Sequence, residues 1–263
     1  MARLARVLLS GLAILAGMLP TLALACGVSA RSPLFHHASL VAAEAGVTTI
    51  TFLGHATFVI ESPGGTMAAT DYSGRHQPPR VPEIITMNHA HSTHFTDSPD
   101  ARIPHVLRGW RPDGGPANHD LKVGDMRVRN LPTNLRSWDG GTRRYGNSIF
   151  VFEAAGLCIA HLGHLHHLLT PDDLATLGQL DIVMVPIDGA WTSNQGDMVE
   201  VLAQLNPRLI LPMHYWGEDV LARFLSRMRD KAEILRPESP TITVSRATLP
   251  TTPTIIVLPG PHF

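Results

Sequence analysis

The stretch MNHAHSTH at residues 87–94 places three histidines, His89, His91 and His94, within six positions. Neutral imidazole is the commonest side-chain metal ligand, and packing alone does not explain three such rings on one short turn. The apolar segment EIITM at residues 83–87 runs into this stretch and predicts a buried strand. Because α/β proteins often carry their sites on loops that follow strands, the stretch predicts a metal site at one edge of a sheet.

Two more histidine groups follow apolar segments in the same way. The sequence HLGHLHH at residues 161–167 follows the strand candidate LCIA at 157–160, and His214 comes shortly after LIL at 209–211. A single histidine is more often a core or surface residue than a ligand, but three groups at three predicted strand ends favour one shared metal site. The last two histidines of the second group lie further along and are interpreted as surface residues.

The composition is that of a globular protein. The chain has 263 residues, 44% of them hydrophobic, and a formal net charge of −1, which fits one domain with a short appendage. A charge this close to zero, without a run of basic residues, gives no reason to expect a nucleic-acid partner.

The N-terminus predicts export. Arg3 and Arg6 precede an apolar segment that ends in Ala-Leu-Ala at 23–25, the pattern of a secretory signal peptide over residues 1–25. A retained membrane anchor is the alternative, because the segment nearly reaches the roughly 20 residues of a spanning helix. Cys26 follows the cleavage site, so a bacterial lipid anchor is a second alternative. We expect a periplasmic or secreted protein without a transmembrane domain after cleavage.

The rest of the chain reads as one folding unit. Residues 26–45 predict a loosely ordered lead and residues 46–263 a single domain, with strands in its first half and alternating strands and helices in its second. Two sheets with helices outside them satisfy this order. An exported protein with two cysteines could form one disulfide, but Cys158 lies in an apolar strand candidate and is interpreted as a small buried hydrophobe.

These motifs, taken in order, resemble the metallo-β-lactamase superfamily, specifically its lactonase- and phosphodiesterase-like branch. GHATF at 54–58 resembles the opening strand motif, Asp71 the strand-end aspartate, and residues 89–94 the H-x-H-x-D-H signature. GNSIF at 146–150, HLG at 161–163 and PMH at 212–214 match later landmarks. The resemblance implies an α/β (α+β) fold, a four-layer αβ/βα sandwich with metal at one edge between the sheets.

The chain departs from the family pattern at three ligand positions. Thr93 stands where the signature has an aspartate for the second metal, His164 stands where an aspartate bridges both metals, and Trp138 replaces a histidine. Two divalent ions repel each other unless anionic ligands offset the repulsion, and a neutral imidazole has one lone pair and cannot bridge. We therefore predict at most one tightly held ion, or a pair rebuilt with Asp71 or Asp139.

An imidazole-rich site suits zinc, and also iron, copper or nickel; we predict zinc. The predicted ligands are three or four of five histidines, with His161 in reserve. The five are His89, His91, His94, His164 and His214. Asp71 either binds the metal or orients a ligand histidine. We interpret His55 as a hydrogen-bonding residue that orients a metal ligand or supports the fold, residues 188–189 as a turn, and Tyr215 and Trp216 as pocket wall or core.

If the site is hydrolytic, the ion lowers the pKa of a bound water to about 7 and provides a hydroxide nucleophile. The resemblance implies an ester, lactone or phosphodiester substrate, and the carboxylate-poor site favours an anionic small molecule. His94, His164 and Asp71 are the candidate catalytic residues, because neighbouring histidines can pass a proton to a leaving group. The alternatives are a non-catalytic periplasmic metal- or ligand-binding protein, since a threonine at position 93 cannot act as a base, and a structural remnant without metal.

Overall fold

The computed structural model describes residues 46–137 and 139–261. The predicted signal peptide, the lead over residues 26–45, Cys26 and Trp138 therefore lie outside the described residues. In chain order the elements are β1 (Thr48–Gly54), β2 (Thr57–Glu61), β3 (Met67–Ala69), β4 (Ile84–Met87), β5 (His105–Arg108), β6 (Asp120–Val123), β7 (Met126–Arg136), β8 (Thr142–Ala154), β9 (Leu157–His161), α1 (Pro171–Leu177), β10 (Ile182–Pro186), α2 (Gln195–Leu205), β11 (Leu209–Met213), α3 (Glu218–Met228), β12 (Glu233–Leu235), β13 (Thr241–Val244) and β14 (Thr254–Ile256).

The strands form two sheets. The first has the order β13-β1-β2-β3-β4-β5, and the second has the order β12-β14-β11-β10-β9-β8-β7-β6. In the first sheet β1 to β3 pair antiparallel and β3 to β5 pair parallel. In the second sheet β6 to β9 pair antiparallel, whereas β9, β10, β11 and β14 pair parallel.

The two sheets pack face to face around a shared core. Alternate residues of β1 are buried, because a strand that faces the core on one side alternates inward and outward side chains. Phe52 and Phe58 of the first sheet lie in one cluster with Phe150, Phe152 and other apolar residues of the second. The predicted α/β sandwich is confirmed.

Helices cover the outer face of the second sheet. Strands β9 to β11 are buried along their whole length, and their outward residues pack against Leu177 of α1, Val201 of α2 and Phe224 of α3. The predicted helix start at Thr170 is confirmed, because the Thr170 hydroxyl accepts from the Asp173 backbone N–H and Pro171 opens the helix. None of the described helices combines the length and apolarity that a membrane span needs.

The outer face of the first sheet is built differently. A four-layer αβ/βα sandwich would have helices on this face. In the described residues, loop side chains such as Tyr72 and Ile103 pack there instead. The segments 71–83 and 88–104 that supply this cover contain five prolines, each of which removes a helical hydrogen bond donor. The predicted burial of Cys158 in β9 is confirmed. The residue is also disulfide-bonded, so its interpretation as a simple buried hydrophobe was wrong.

Candidate metal centre

Three imidazole nitrogens meet at the edge between the two sheets. The Nε2 atom of His94 lies 3.2 Å from Nε2 of His91 and 3.1 Å from Nε2 of His214, and the third side of this triangle measures 3.4 Å. His91 and His94 lie on the loop that follows β4, and His214 directly follows β11. The fold thus brings together three of the predicted ligands, from two sheets.

Each of the three rings has a partner on its other nitrogen. Nδ1 of His94 lies 2.7 Å from Oδ2 of Asp71, and Nδ1 of His214 lies 3.1 Å from Oδ1 of Asp188. Nδ1 of His91 lies 2.8 Å from the hydroxyl of Thr93. A carboxylate only accepts hydrogen bonds, so it holds the hydrogen of its histidine on Nδ1 and leaves a lone pair on Nε2.

This geometry fits a metal ion. Two Nε2 lone pairs 3.1 Å apart repel each other unless a cation lies between them. Zn–N bonds of 2.0–2.1 Å in a tetrahedral site place ligand nitrogens about 3.3 Å apart, and the three measured distances bracket that value. The residues present therefore fit a zinc-sized ion bound by His91, His94 and His214.

Two further histidines lie against this triangle. His55, in the turn between β1 and β2, belongs to a group of four whose ligand atoms all lie within 4.8 Å of one another, with His91, His94 and His214. The ring of His164 lies 5.0–5.4 Å from the rings of the same three residues. Both ring nitrogens of His164 are buried without a hydrogen-bond partner, so this ring is also available to an ion or to a bound molecule.

The backbone at the site is held in uncommon conformations. His55, Asp71 and His214 all have positive φ, of 52°, 42° and 55°, in the left-handed region that costs a non-glycine residue of the order of 1–3 kcal/mol. The backbone N–H of His214 donates to the carbonyl of His55 at 2.9 Å, which ties the two loops together. Such strain persists where surrounding contacts fix the geometry and is concentrated at functional sites.

Glycine is required in the loop that carries His164. Gly163 has a φ of +59°, and a Cβ at this position would lie 2.4 Å from Oδ1 of Asn147 and 2.5 Å from Nδ2 of Asn88. Those two amides build the site, because Asn147 accepts from the His164 backbone N–H and Asn88 donates to Asp71 at 2.8 Å.

Burial sets the charges of the site. It lowers the pKa of His91 to about 4, with a smaller contribution from repulsion by His214, and it lowers the pKa values of His94 and His164 well below their usual range. Burial raises the pKa of Asp71 well above its usual value, against the hydrogen bond from Asn88. A divalent ion bound by His94 would favour the ionised carboxylate again. Although burial raises the pKa of Asp188 too, hydrogen bonds from His214 and from its own turn outweigh it and bring that pKa well below its usual value.

The structure places the other predicted site residues elsewhere. His89 stacks on Trp110 with 4.8 Å between ring centroids and lies edge-on to Phe95, outside the group of four histidines. His161, the reserve ligand, uses both nitrogens within the fold, with Nε2 donating to the Ala56 carbonyl at 2.8 Å and Nδ1 accepting from Gly163.

Asp139 and the neighbours of His214 have other surroundings. Asp139 is exposed and accepts the backbone N–H of Gly141. Tyr215 is buried in the core. Trp216 is 39% exposed with its ring 5.1 Å from that of His214, so its indole forms a wall beside the histidines.

Sequence reasoning missed Asp188 and gave His55 a supporting hydrogen-bonding role, not a place among the metal ligands. Asp188 precedes a glycine after a strand, which is the ordinary signal of a turn, and it does form that turn. The signal that could have found both residues is the placement of His and Asp at strand ends, which had already identified the other histidine groups and Asp71.

Sequence comparisons match the chain to a known family and to proteins named as metal-dependent hydrolases. A family model described as a beta-lactamase superfamily domain matches residues 49–214. A protein of Opitutus terrae named as a metal-dependent hydrolase is 27% identical over 226 residues, covering 74% of this chain and 98% of the relative. A metal-dependent hydrolase of Carboxydothermus hydrogenoformans is 27% identical over 209 residues, covering 71% and 92%.

Solved structures show the same fold. The crystal structure of a proposed zinc-dependent hydrolase of the metallo-β-lactamase superfamily from Thermotoga maritima has a TM-score of 0.56 and 25% identity, covering 81% of this chain and 98% of the other. A metallo hydrolase of Ignicoccus hospitalis has a TM-score of 0.54 at 17% identity, covering 76% and 99%, a likeness of fold alone.

Proposed function

The chain belongs to the metallo-β-lactamase superfamily as a metal-dependent hydrolase, and on that premise we propose that a single zinc ion held by His91, His94 and His214 serves the cleavage of an ester, lactone or phosphodiester. The proposal rests on the triangle of Nε2 atoms, with sides of 3.1–3.4 Å, whose lone pairs converge on one point. His55 stands beside them as a fourth nitrogen ligand.

When bound, such an ion lowers the pKa of water and polarises a carbonyl or phosphoryl oxygen. The protein supplies the positioning. Asp71 and Asp188 fix the ring orientations of His94 and His214 from behind. His164 faces the same centre with two ring nitrogens that make no other hydrogen bond, and it can therefore pass a proton between the attacking water and the leaving group.

The substrate in this proposal is a small molecule with an apolar part. The indole of Trp216 is partly exposed beside the histidines and offers a face for that part. Arg75 donates to the hydroxyl of Ser92, which lies between His91 and His94. Its guanidinium is the basic group that would bind an anionic part of the substrate. The preference for an anion depends on Arg75, since Asp71 and Asp188 already place two carboxylates behind the centre.

We also propose that the protein acts in the periplasm or outside the cell. This rests on the pattern of residues 1–25, which lie outside the described structure. A lipid anchor at Cys26 is an alternative that competes with a disulfide, because the chain has only two cysteines and Cys158 is disulfide-bonded. Fractionation of cells that express the full chain tests it, with mass spectrometry of the mature N-terminus under non-reducing conditions to separate a disulfide-bonded Cys26 from a lipidated one.

Hydrolysis assays test the activity. Three zinc-loaded proteins are assayed: the wild type, His94→Ala in the triangle, and His105→Ala in strand β5. The substrates are a chromogenic phosphodiester and a series of lactones. We expect turnover of at least one substrate class by the wild type and by His105→Ala, and only background by His94→Ala. Equal rates for wild type and His94→Ala would remove the proposed activity.

A further inference from the structure

Asp188 lies at the turn after β10, with its side chain buried behind the histidine triangle. Its Oδ2 accepts three backbone N–H groups, from Ala190 at 2.9 Å, Trp191 at 2.6 Å and Thr192 at 3.3 Å. Its Oδ1 accepts from the Thr192 hydroxyl and faces Nδ1 of His214 at 3.1 Å. The local turn therefore fixes the direction of the carboxylate without any help from His214.

That fixed carboxylate decides the state of His214. Four donors of the turn already point at the Asp188 carboxylate, which has no hydrogen of its own to donate. It can therefore only accept a hydrogen bond from the imidazole, and this requires the hydrogen of His214 to sit on Nδ1. Nε2 then carries the lone pair that faces His91 and His94. A histidine in the other tautomer would point an N–H into the triangle and could not bind an ion through that nitrogen.

A second carboxylate acts in the same way on the first sheet. Asp71 faces Nδ1 of His94 at 2.7 Å. The two positions that hold ligand carboxylates in the family pattern are Thr93 and His164 in this chain. A divalent ion in the triangle would thus meet its two negative charges one imidazole further out, at Asp71 and Asp188.

We propose that Asp188 is a positioning residue of the metal centre, which holds His214 in the metal-binding tautomer and, with Asp71, supplies the negative charge that balances one divalent ion. This inference depends on the metal site of the proposed function but not on the reaction catalysed there. It explains how a centre without ligand carboxylates can bind a single ion tightly, because carboxylates that orient ligand histidines raise their basicity.

The substitution Asp188→Asn tests the proposal at nearly constant volume. The asparagine oxygen can keep the backbone N–H groups of the turn, and its amide then donates toward Nδ1 of His214 and forces the hydrogen onto Nε2. We expect the zinc affinity, measured by competition with a chromophoric chelator, to fall about 10–100-fold, the usual cost of losing such a partner. An unchanged affinity would overturn the proposal.

Asp181→Asn is the matched control. Asp181 is also a buried carboxylate, which accepts the Cys158 backbone N–H at 2.9 Å and pairs with Arg246. It lies just before β10, at the end of that strand opposite to Asp188. We expect this variant to bind zinc with wild-type affinity. An equal loss in both variants would show a general effect of removing a buried charge and would count against Asp188.

Ring-nitrogen NMR of the zinc-loaded wild type gives a second measurement if Asp188→Asn does not fold. We expect His214 to show a hydrogen on Nδ1 and none on Nε2. Coordination through Nδ1, or a hydrogen on Nε2, would overturn the proposal. A protein that shows these signals but hydrolyses none of the substrates would refute the proposed reaction and leave the role of Asp188 standing.

Discussion

Nε2 of His94 and Nε2 of His214 lie 3.1 Å apart, although 120 positions separate the two residues in the chain. His94 follows a strand of the first sheet and His214 a strand of the second, so this contact joins the two sheets at their edge. Nδ1 of each ring faces a carboxylate, that of Asp71 or Asp188. In the proposed tautomer the ring hydrogen sits on Nδ1, and the two Nε2 atoms face each other as lone pairs. A cation between them turns a repulsive contact into a link between the sheets.

Metal removal should therefore destabilise the fold as well as end activity. Because the ion binds the folded protein and the triangle exists only there, it raises the free energy of unfolding by mass action. We expect one zinc per chain by elemental analysis and a lower melting temperature after chelation, restored by one equivalent of zinc. His214→Ala should show the low melting temperature with or without zinc. A stoichiometry of two would contradict the single-ion site.

His89 should be dispensable for metal binding. Its ring lies between Trp110 and Phe95, so His89→Phe keeps an aromatic ring in that stack and removes only the nitrogens. We expect His89→Phe to retain wild-type zinc content, whereas His91→Phe, two residues away on the same loop, should lose it. Loss of zinc from His89→Phe would return this residue to the ligand set.

His89 and His91 also show which features of the site the sequence could predict and which it could not. The expectation that ligands lie on loops after strands placed both residues at the correct edge of the sheet, because the apolar run of β4 is recognisable in the sequence. That expectation could not show which of the two rings faces the metal centre. The orientation of His89 depends on its stacking with Trp110, which lies in the segment after β5. His55 and Asp188 were underestimated for a related reason, because each has a sufficient local role in a turn and meets His214 only in the folded protein. His55 reaches His214 when the two sheets pack, and Asp188 reaches it when β10 pairs with β11.

Thr93 should tune the site through His91. Its hydroxyl lies 2.8 Å from Nδ1 of His91, so Thr93→Val removes the partner of that nitrogen and leaves the shape of the side chain nearly unchanged. We expect the zinc affinity to fall about tenfold, at the lower end of such effects, because the lost partner is neutral. Thr93→Ser retains the hydroxyl and should bind zinc as the wild type does. Chelator competition measures all three proteins.

His161 should make the protein sensitive to acid. Burial lowers its pKa to about 4, opposed in part by its hydrogen bond to the Ala56 carbonyl, while the unfolded chain protonates near pH 6.5. Between these two values the unfolded state binds more protons, so the free energy of unfolding decreases as the pH falls from about 6.5 to 4. The contribution of one such residue is on the order of 3 kcal/mol over that window.

Urea unfolding of metal-free protein at pH 7.5 and pH 5 checks this effect. His161→Gln can donate to Ala56 without taking up a proton, and we expect its free energy of unfolding to change less between the two pH values than that of the wild type. His105→Gln, in the half-buried edge strand β5, should keep the wild-type difference. The same pH dependence in His161→Gln and wild type would mean that His161 does not titrate in this window.

Trp216 should act on the substrate and not on the metal. Its indole lies 5.7 Å from the ring of His55 and 5.1 Å from that of His214, and 39% of the residue is exposed. Removing an exposed aromatic face costs binding of an apolar group, because the substrate no longer buries that surface. We expect Trp216→Ala to keep one zinc per chain and to raise KM for lactones with a long acyl chain more than for short ones, with Trp216→Phe in between. An equal change in KM for every chain length would show that the substrate does not pack on this residue.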